Sequence, residues 1–455
     1  MPKGLPFDWQ QAIAVCAAAV LSASGMIALR AQGPLDRVTV PVDDSLLTTA
    51  VGNVHPLASP QYDRGEVSAP TRLEKMVLVL KTSPAQQEGL NDLTQAQQTP
   101  GTPEFHRWLT AEEFGNRFGL SSHDLAAITG WLSRHGFSID EVAPDRLLVI
   151  FSGTAGQVAD TFHTELHQYA IPAVNARQSG QIEMHIANVQ DPQIPAAFAG
   201  VVEGVLSLHD FRRAPTVQSR PLAANIDYTD AARHSLTPAE FAMLYDLPPL
   251  YASGDTGAGA AIAIVSRSNL AQHDLDRFRA LNGLAFHAPF VTFISRDPGV
   301  VPGDEDEAIL DSEWSGAVAP GAAIHTVVAD STATTDGVDL AAQYIVNHIP
   351  AQIVDVGFAS CEDEMGAAEI AFYGNLWQQA AAEGISALVA SGNRGAASCS
   401  SLHPSGIPTA SVNGLCSSLY STCIGGHSVR PTFDCLNATA GARWFRFRSG
   451  PGGIG

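Results

Sequence analysis

The sequence is poor in basic residues. Only 25 of its 455 residues are Lys or Arg, against 46 Asp or Glu, so the formal net charge is −21 and the pI is about 5.0. Because a nucleic-acid-binding protein needs a basic face, this balance argues against nucleic acid as a partner. A chain this acidic carries less net charge, and therefore less internal repulsion, in an acidic medium. The length and the 45% hydrophobic content predict a globular chain of two or three domains.

Long apolar runs are scarce as well. A mostly apolar stretch from Ala12 to Leu29 follows Lys3, and it predicts a secretory signal over residues 1–31, cut after Ala31. The stretch is long for a signal, so a single membrane anchor is the alternative. No later segment has the length of a transmembrane helix. We therefore expect a secreted protein with no membrane association after signal cleavage.

Cysteine is rare, and no CxxC pair is present. Cys16 lies in the predicted signal, and the other five cysteines cluster in the last hundred residues: Cys361, Cys399, Cys416, Cys423 and Cys435. An exported chain can oxidise these thiols. Five is an odd number, so at least one is unpaired or the chain is incomplete. Zinc bound by Cys399, His403, Cys416 and Cys423 is the competing interpretation, although its usual spacing is absent.

The pattern of elements divides the chain into two domains. Strands and helices mix over residues 45–211, which predicts an α+β domain of split βαβ type. Residues 212–235 are polar and aperiodic, so we expect a linker and a processing site there. Over residues 236–455 apolar strands alternate with helices, which predicts an α/β domain with a doubly wound parallel sheet. The loops at the carboxyl ends of such strands usually build the functional site.

An acidic segment, Gly303 to Trp314, contains the strongest candidate for chemistry. Glu307 and Asp311 are four residues apart in a helical pattern, so both carboxylates lie on one face. Carboxylates this close do not ionise independently, and one retains its proton to a raised pH. They are a candidate acid–base pair. The alternative for an acidic run is a solvated helix face.

Ordered short motifs over residues 65–430 resemble the sedolisin–kumamolisin family of serine-carboxyl peptidases with their activation prodomain. In the first domain the resemblance rests on Phe105-His106-Arg107-Trp108, Phe114-Gly115-Asn116-Arg117-Phe118-Gly119 and Phe151-Ser152-Gly153-Thr154. In the second it rests on Leu236-Thr237-Pro238 and the Glu307–Asp311 segment. It implies a ferredoxin-like prodomain followed by a subtilisin-like domain that is incomplete at its C-terminus.

The resemblance also implies roles for the two carboxylates. Glu307 matches the general base that takes the proton of a serine nucleophile, and Asp311 matches the residue that holds this base. Since a carboxylate base works only near its own pKa, the family acts in acid. The implied reaction is endopeptidase cleavage of a polypeptide, with the chain's own prodomain as intramolecular inhibitor.

Two positions depart from the family pattern. The aspartate of the oxyanion hole is replaced by Asn393, in Ser391-Gly392-Asn393-Arg394-Gly395. An amide donates a hydrogen bond at any pH, so Asn393 can retain that role, or it can mark an inactive enzyme. No Gly-Thr-Ser motif follows Asn393 before Gly455. The expectation is therefore that this chain has no nucleophilic serine, through truncation, frameshift or true loss.

Other family features map less sharply. Gly357, Phe358 and Ala359 match the substrate-binding strand, whose main chain pairs with an extended peptide. Cys361 and Cys399 match a family disulfide. The family's calcium site belongs to the C-terminal part that has no match here, so no metal is expected in this chain. The alternative function is a non-catalytic remnant that binds peptides or inhibits related proteases.

Overall fold

The computed structural model describes residues 33–172, 181–206, 208–216, 236–392, 410–426, 429–431 and 445–447. The predicted signal, Asn393 and Cys399 lie outside these residues. Among the residues that the structure describes, no helix combines the length and the apolar character needed to cross a bilayer.

The first domain is built on a four-stranded antiparallel sheet. Its strands are β3 (Arg72–Leu80), β4 (Ser138–Val142), β5 (Leu148–Thr154) and β9 (Val202–Leu206), in the spatial order β4-β5-β3-β9. Its helices are α1 (Pro84–Gln98), α2 (Ala111–Phe118), α3 (Ser122–Arg134) and α4 (Ala155–Phe162). Capping side chains begin α2 and α3: the Thr110 hydroxyl accepts from Glu113 N, and the Ser121 hydroxyl accepts from Asp124 N.

Smaller strands complete this domain. They are β1 (Leu47–Thr49), β2 (Asp63–Glu66), β6 (Leu166–Pro172), β7 (Ile182–Asn188) and β8 (Gln193–Pro195). Strands β2, β6 and β7 form a three-stranded sheet, and β1 pairs with β8.

The second domain has a six-stranded parallel sheet, as the sequence predicts. Its strands are β11 (Ala261–Ser266), β12 (Phe290–Ile294), β13 (Ala323–Ala329), β14 (Ile353–Val356), β16 (Ser386–Ala390) and β17 (Ser421–Ile424), in the order β12-β13-β11-β14-β16-β17. Its helices are α5 (Pro238–Leu244), α6 (Pro248–Ser253), α7 (Gln272–Leu281), α8 (Glu305–Val318), α9 (Gly337–His348) and α10 (Ala367–Ala382). Two further strands, β18 (Val429–Pro431) and β19 (Phe445–Phe447), pair with each other.

The two domains share one hydrophobic core. In β3, Met76, Leu78 and Leu80 pack with the first domain's own helices, whereas Val77 and Val79 pack with residues of α9 and α10. Both faces of this strand are therefore buried, which explains why its sequence is a continuous apolar run rather than an alternating one.

The first domain also caps both ends of α10. At the N-terminus Ala367 N donates to Gly52 O (2.7 Å) and Ala368 N donates to Asn53 Oδ1 (3.1 Å). At the C-terminus Ala382 O accepts from Leu109 N (3.0 Å) and from Gln97 Nε2 (2.9 Å). Because helix ends leave backbone groups without intrahelical partners, these bonds stabilise α10 only while the domains are docked.

Two sequence expectations are wrong in detail. The apolar run from Ile353 to Phe358 predicts one strand, but the strand is interrupted at Gly357, and Phe358–Ala359 form a separate short strand, β15. The predicted linker does not begin as an exposed segment. Ala214–Pro215 form a strand, β10, that pairs antiparallel with β15, and Arg213 before it is buried. The physical reason is a set of buried carboxylates in the second domain that binds Arg213.

Candidate active site

Helix α8 places the two candidate catalytic carboxylates next to Gly357–Ala359, the segment predicted to be the substrate-binding strand. It begins at Glu305, so Glu307 lies in the first turn, where the helix dipole favours a negative charge. Asp311 follows one turn later on the same face. Glu307 is buried, at 2% exposure, and Asp311 Oδ2 is a buried atom without a hydrogen-bond partner among the described residues. Glu307 and Asp311 therefore lie on one face of α8, and their catalytic roles stay a prediction.

Gly357 is the point where the strand and the two carboxylates meet. A Cβ atom at this position would collide with Glu307 Oε1 and lie 2.7 Å from Asp311 Oδ2. Only a residue without a side chain allows the backbone to approach this closely. The structure therefore brings together Glu307, Asp311 and the predicted substrate-binding residues Gly357, Phe358 and Ala359.

A third carboxylate, which the sequence analysis missed, belongs to the same group. Asp355 lies in β14, two residues before Gly357, and it acts electrostatically on Asp311. Burial raises the pKa of Asp355 to about 6. Burial, then Asp355, then Glu307 raise the pKa of Asp311 well above its ordinary value. Asp355 could have been identified from the sequence, because residues two apart in an extended segment project to the same side.

The chain's own segment 214–216 occupies the edge of the substrate-binding strand. Ala214 pairs with Ala359 and Pro215 with Phe358, and Thr216 N donates to Gly357 O at 2.9 Å. The Thr216 hydroxyl then donates to Glu307 Oε1 at 3.2 Å. An extended segment thus runs antiparallel to this strand and ends at the candidate base.

Arg213 anchors this segment in a pocket between α9 and α10. Its Nη2 donates to Glu369 Oε1 (2.7 Å) and to Asp339 Oδ2 (3.1 Å), and its Nε donates to Asp339 Oδ1 (3.3 Å). Tyr373 donates its hydroxyl to Asp339 Oδ1, and its ring lies beneath the guanidinium. Arg213 N donates to Asp336 Oδ2 at 2.7 Å. Sequence reasoning registered Arg213 only as part of a polar linker.

A second buried arginine organises the start of α8. Arg267 donates two hydrogen bonds to Asp304 (2.7 and 3.0 Å) and two to Asp336 (2.9 and 3.1 Å). Its guanidinium also lies 5.1 Å from the centre of the Phe358 ring. Asp304 precedes α8 and Asp336 precedes α9, so one side chain fixes two helix starts against the substrate-binding strand.

Asn413 connects the substrate-binding strand to β16. It is buried, and its Nδ2 donates to Phe358 O (3.1 Å) and Ala390 O (2.8 Å), while its Oδ1 accepts from Ser360 N (3.0 Å). Ala390 is three residues before Asn393, the predicted oxyanion residue. That residue lies outside the described part of the chain, so its role stays a prediction.

The cysteine and metal predictions have different outcomes. Cys416 and Cys423 form a disulfide, so they are not zinc ligands. Cys361 is also in a disulfide, but Cys399 lies outside the described residues and the predicted pair stays a prediction. Within the described residues, Asp36, His123 and Asp124 are close enough to share an ion, but they belong to the first domain. The Asp124 carboxylate already accepts from Arg37 N and Val38 N.

Comparison with known proteins agrees with the sequence resemblance. Residues 61–211 match the family model of the pro-kumamolisin activation domain. Sedolisin of Pseudomonas sp. (strain 101) is 28% identical over 356 residues, which is 75% of this chain and 58% of the relative. Kumamolisin of Bacillus sp. (strain MN-32) is 26% identical over 366 residues, 76% of this chain and 61% of the relative. The chain thus spans about three fifths of the length of these relatives.

A solved structure of Pseudomonas sedolisin with pseudo-iodotyrostatin is 23% identical, with a TM-score of 0.36 over 43% of this chain and 55% of that chain. Canine tripeptidyl-peptidase 1 is 26% identical over 68% of this chain and 54% of its own length. The activation-domain match and the sequence relatives confirm the predicted family, while the domain boundaries and the roles of individual residues stay predictions. Residues 61–211 therefore match the pro-kumamolisin activation domain, and the chain as a whole is similar to peptidase precursors of the sedolisin family.

Proposed function

We propose that this chain is the inhibited precursor form of an acid-acting serine-type endopeptidase that is secreted. One observation carries the proposal: the chain's own residues 214–216 pair with the substrate-binding strand, and Thr216 contacts the candidate base Glu307. An extended peptide substrate would pair with the same main-chain groups. The first domain, whose strand order fits a ferredoxin-like fold, acts as the intramolecular inhibitor, and the second is a subtilisin-like catalytic domain.

In this proposal Glu307 is the general base and Asp311 is its partner. Burial, then Asp355, then Glu307 raise the pKa of Asp311 well above its ordinary value, which favours a protonated Asp311 beside the base. Glu307 would take the proton of a serine hydroxyl, and Asn393 would donate to the oxyanion. The serine itself is the component that the sequence analysis does not find. Calcium, known in the family, is not assigned to any residue of this chain.

The docked first domain has a second proposed role, in folding. It caps both ends of α10 and covers the apolar faces of α9 and α10 that pack against β3. Helices this dependent on a neighbouring domain gain most of their stability from tertiary packing. We therefore expect the second domain to fold efficiently only while it is connected to the first.

The occupancy of the cleft is tested with an open-cleft variant that combines Arg213→Ala and Thr216→Pro. These changes remove the anchor and the N–H that donates to Gly357 O. A labelled peptide with the sequence of residues 213–218 is then titrated by fluorescence anisotropy. The peptide should bind the open-cleft variant and not the wild-type chain, whose own segment occupies the site. Absence of binding to a folded open-cleft variant would contradict the proposal.

The chemistry is tested separately with an unfolded protein substrate at pH 3 to 5. Because no serine motif follows Asn393, the open-cleft variant should bind peptide without cutting it. Cleavage that disappears in Glu307→Ala would show that the chain supplies its own nucleophile. Binding without cleavage in both proteins would agree with the peptide-binding alternative for this chain.

A further inference from the structure

The pocket that holds Arg213 has the features of a substrate subsite. Asp339 belongs to α9 and Glu369 to α10, and both converge on one guanidinium that comes from a different part of the chain. All three side chains are buried, with 2% exposure for Arg213, 0% for Asp339 and 3% for Glu369. Two carboxylates at this depth require a cation or a proton.

Within its described residues, the second domain does not supply that cation. Its buried Arg267 is already bonded to Asp304 and Asp336. Among the described residues, the cations bonded to Asp339 and Glu369 are Arg213 and, for Glu369 at 3.7 Å, His209 of the first domain. When the first domain and its segment leave, the pocket retains two carboxylates and a tyrosine hydroxyl with no cation of its own.

The position of the pocket relative to the cleft is fixed by strand pairing. Thr216 contacts Glu307, Pro215 and Ala214 pair with Phe358 and Ala359, and Arg213 is the next residue toward the N-terminus. Side chains alternate along an extended segment, so Arg213 and Pro215 project to one side and Ala214 and Thr216 to the other. A bound peptide in the same register would place its own side chain in this pocket, three residues before the residue at the base.

We infer that Asp339, Glu369 and Tyr373 form a subsite that selects an arginine three residues N-terminal to the substrate residue that contacts Glu307. This inference rests on the proposed function, because it takes residues 213–216 as a copy of the substrate's path. The planar guanidinium suits the site since it donates to two carboxylates at once and stacks on an aromatic ring. A lysine ammonium can make the charge contact but not the forked one.

The opposing explanation is that Arg213 is only a structural tie between the domains. In that case the pocket would close or rearrange without it and would not discriminate between peptides. The two explanations differ in whether an arginine that is not part of the chain is recognised.

The test compares two labelled peptides on the open-cleft variant, Arg-Ala-Pro-Thr-Val-Gln and the same peptide with norleucine in place of arginine. We expect the arginine peptide to bind about 10- to 100-fold more tightly, the range for a buried charge-assisted contact. Glu369→Gln in the same background should reduce that ratio to near one, and Glu362→Gln, a change in the nearby acidic 362–364 segment, should not. Equal binding of both peptides would overturn the subsite and leave the proposed function intact. Binding of neither would remove both.

A second measurement covers the case in which the double variant does not fold. In the single variant Arg213→Ala, which keeps the Thr216 contact, millimolar N-methylguanidinium should raise the melting temperature, and tetramethylammonium at the same concentration should not. The wild-type chain is the control and should show no such difference. If the two salts act alike on Arg213→Ala, the pocket does not recognise a free guanidinium and the inference fails.

Discussion

Replacing Asp355 with Asn tests whether the candidate base pair belongs to a larger cluster of three carboxylates. The substitution keeps the shape of the side chain and removes its charge. Asp355 lies two residues before Gly357, where Glu307 and Asp311 approach the backbone, and it acts electrostatically on Asp311. If these groups repel one another when ionised, Asp355→Asn should stabilise the protein at neutral pH, in contrast to most substitutions of buried residues.

The magnitude follows from the pKa of Asp355, which burial raises from 3.8 to about 6. A carboxylic acid with a raised pKa in the folded state favours folding below its unfolded pKa and opposes it increasingly as the pH rises to the folded value. At 1.36 kcal/mol per pKa unit, the penalty at pH 7 is about 3 kcal/mol. Asp355→Asn removes this penalty. Its stabilising effect should therefore be absent near pH 3.5, grow between about pH 4 and 6, and stay constant above that.

The assay is thermal unfolding of the wild-type and variant chains across pH 3.5 to 7.5. For a domain of this size about 3 kcal/mol corresponds to a shift of the melting temperature by roughly 6–12 °C. Asp306→Asn, at an exposed position of α8 beside Glu307, is the matched control and should show no such pH-dependent gain. A variant that is less stable than the wild type by the same amount at every pH would refute the carboxylate cluster.

Three further substitutions test other parts of the site. Gly357→Ala places a Cβ against Glu307 and Asp311 and should lower the free energy of unfolding by about 1–3 kcal/mol. The control is Gly374→Ala in α10, whose Cβ meets nothing within 4 Å and which should be neutral or stabilising. Equal effects of the two substitutions in thermal melts would contradict the close approach at Gly357. Asn413→Leu leaves the backbone groups of Phe358, Ser360 and Ala390 without their hydrogen-bond partner and should lower the free energy of unfolding by about 3 kcal/mol or more. A loss below about 1 kcal/mol would show that other groups replace these hydrogen bonds. Burial lowers the pKa of His55 well below 6.5, so the folded state resists protonation and loses stability as the pH falls below 6.5. His55→Asn, which keeps an acceptor for Leu57 N, should flatten this part of the pH–stability curve. An unchanged slope would exclude His55 as its source.

Elements that are determined by neighbouring residues could be predicted from the sequence. Helix starts at Ser121 and Thr237 were predictable because a capping side chain and its backbone partner are within a few residues. The parallel sheet was predictable because buried strands are short apolar runs between helices. Glu307 and Asp311 were predictable as a pair because helical spacing alone puts both on one face.

Features that depend on distant parts of the chain were not predictable in this way. Arg213 lies in a stretch without periodicity, and its burial is determined by Asp339 and Glu369, more than a hundred residues away. The interruption at Gly357 depends in the same way on how closely α8 approaches β14. The sequence shows a polar segment around Arg213 and a strand around Gly357. Which side chains contact them depends on how the helices pack.

The charges around Arg213 imply that acid helps its segment to leave the cleft. Burial raises the pKa of Asp339 to about 6 even with Arg213 beside it, and although burial also acts to raise the pKa of Glu369, Arg213 and His209 hold it well below its ordinary value. Once Arg213 departs, Asp339 loses the cation bonded to it and Glu369 loses the nearer of its two, so the empty pocket binds more protons than the occupied one. Since the state that binds more protons is favoured as the pH falls, acidification shifts the equilibrium toward release.

Asp336 remains paired with Arg267, so the effect should come from Asp339 and Glu369. The pH dependence of release, measured by hydrogen exchange of residues 213–216, should become shallower when Glu369→Gln removes one of the two proton-binding groups. An equally steep dependence in that variant would place the acid response elsewhere in the interface.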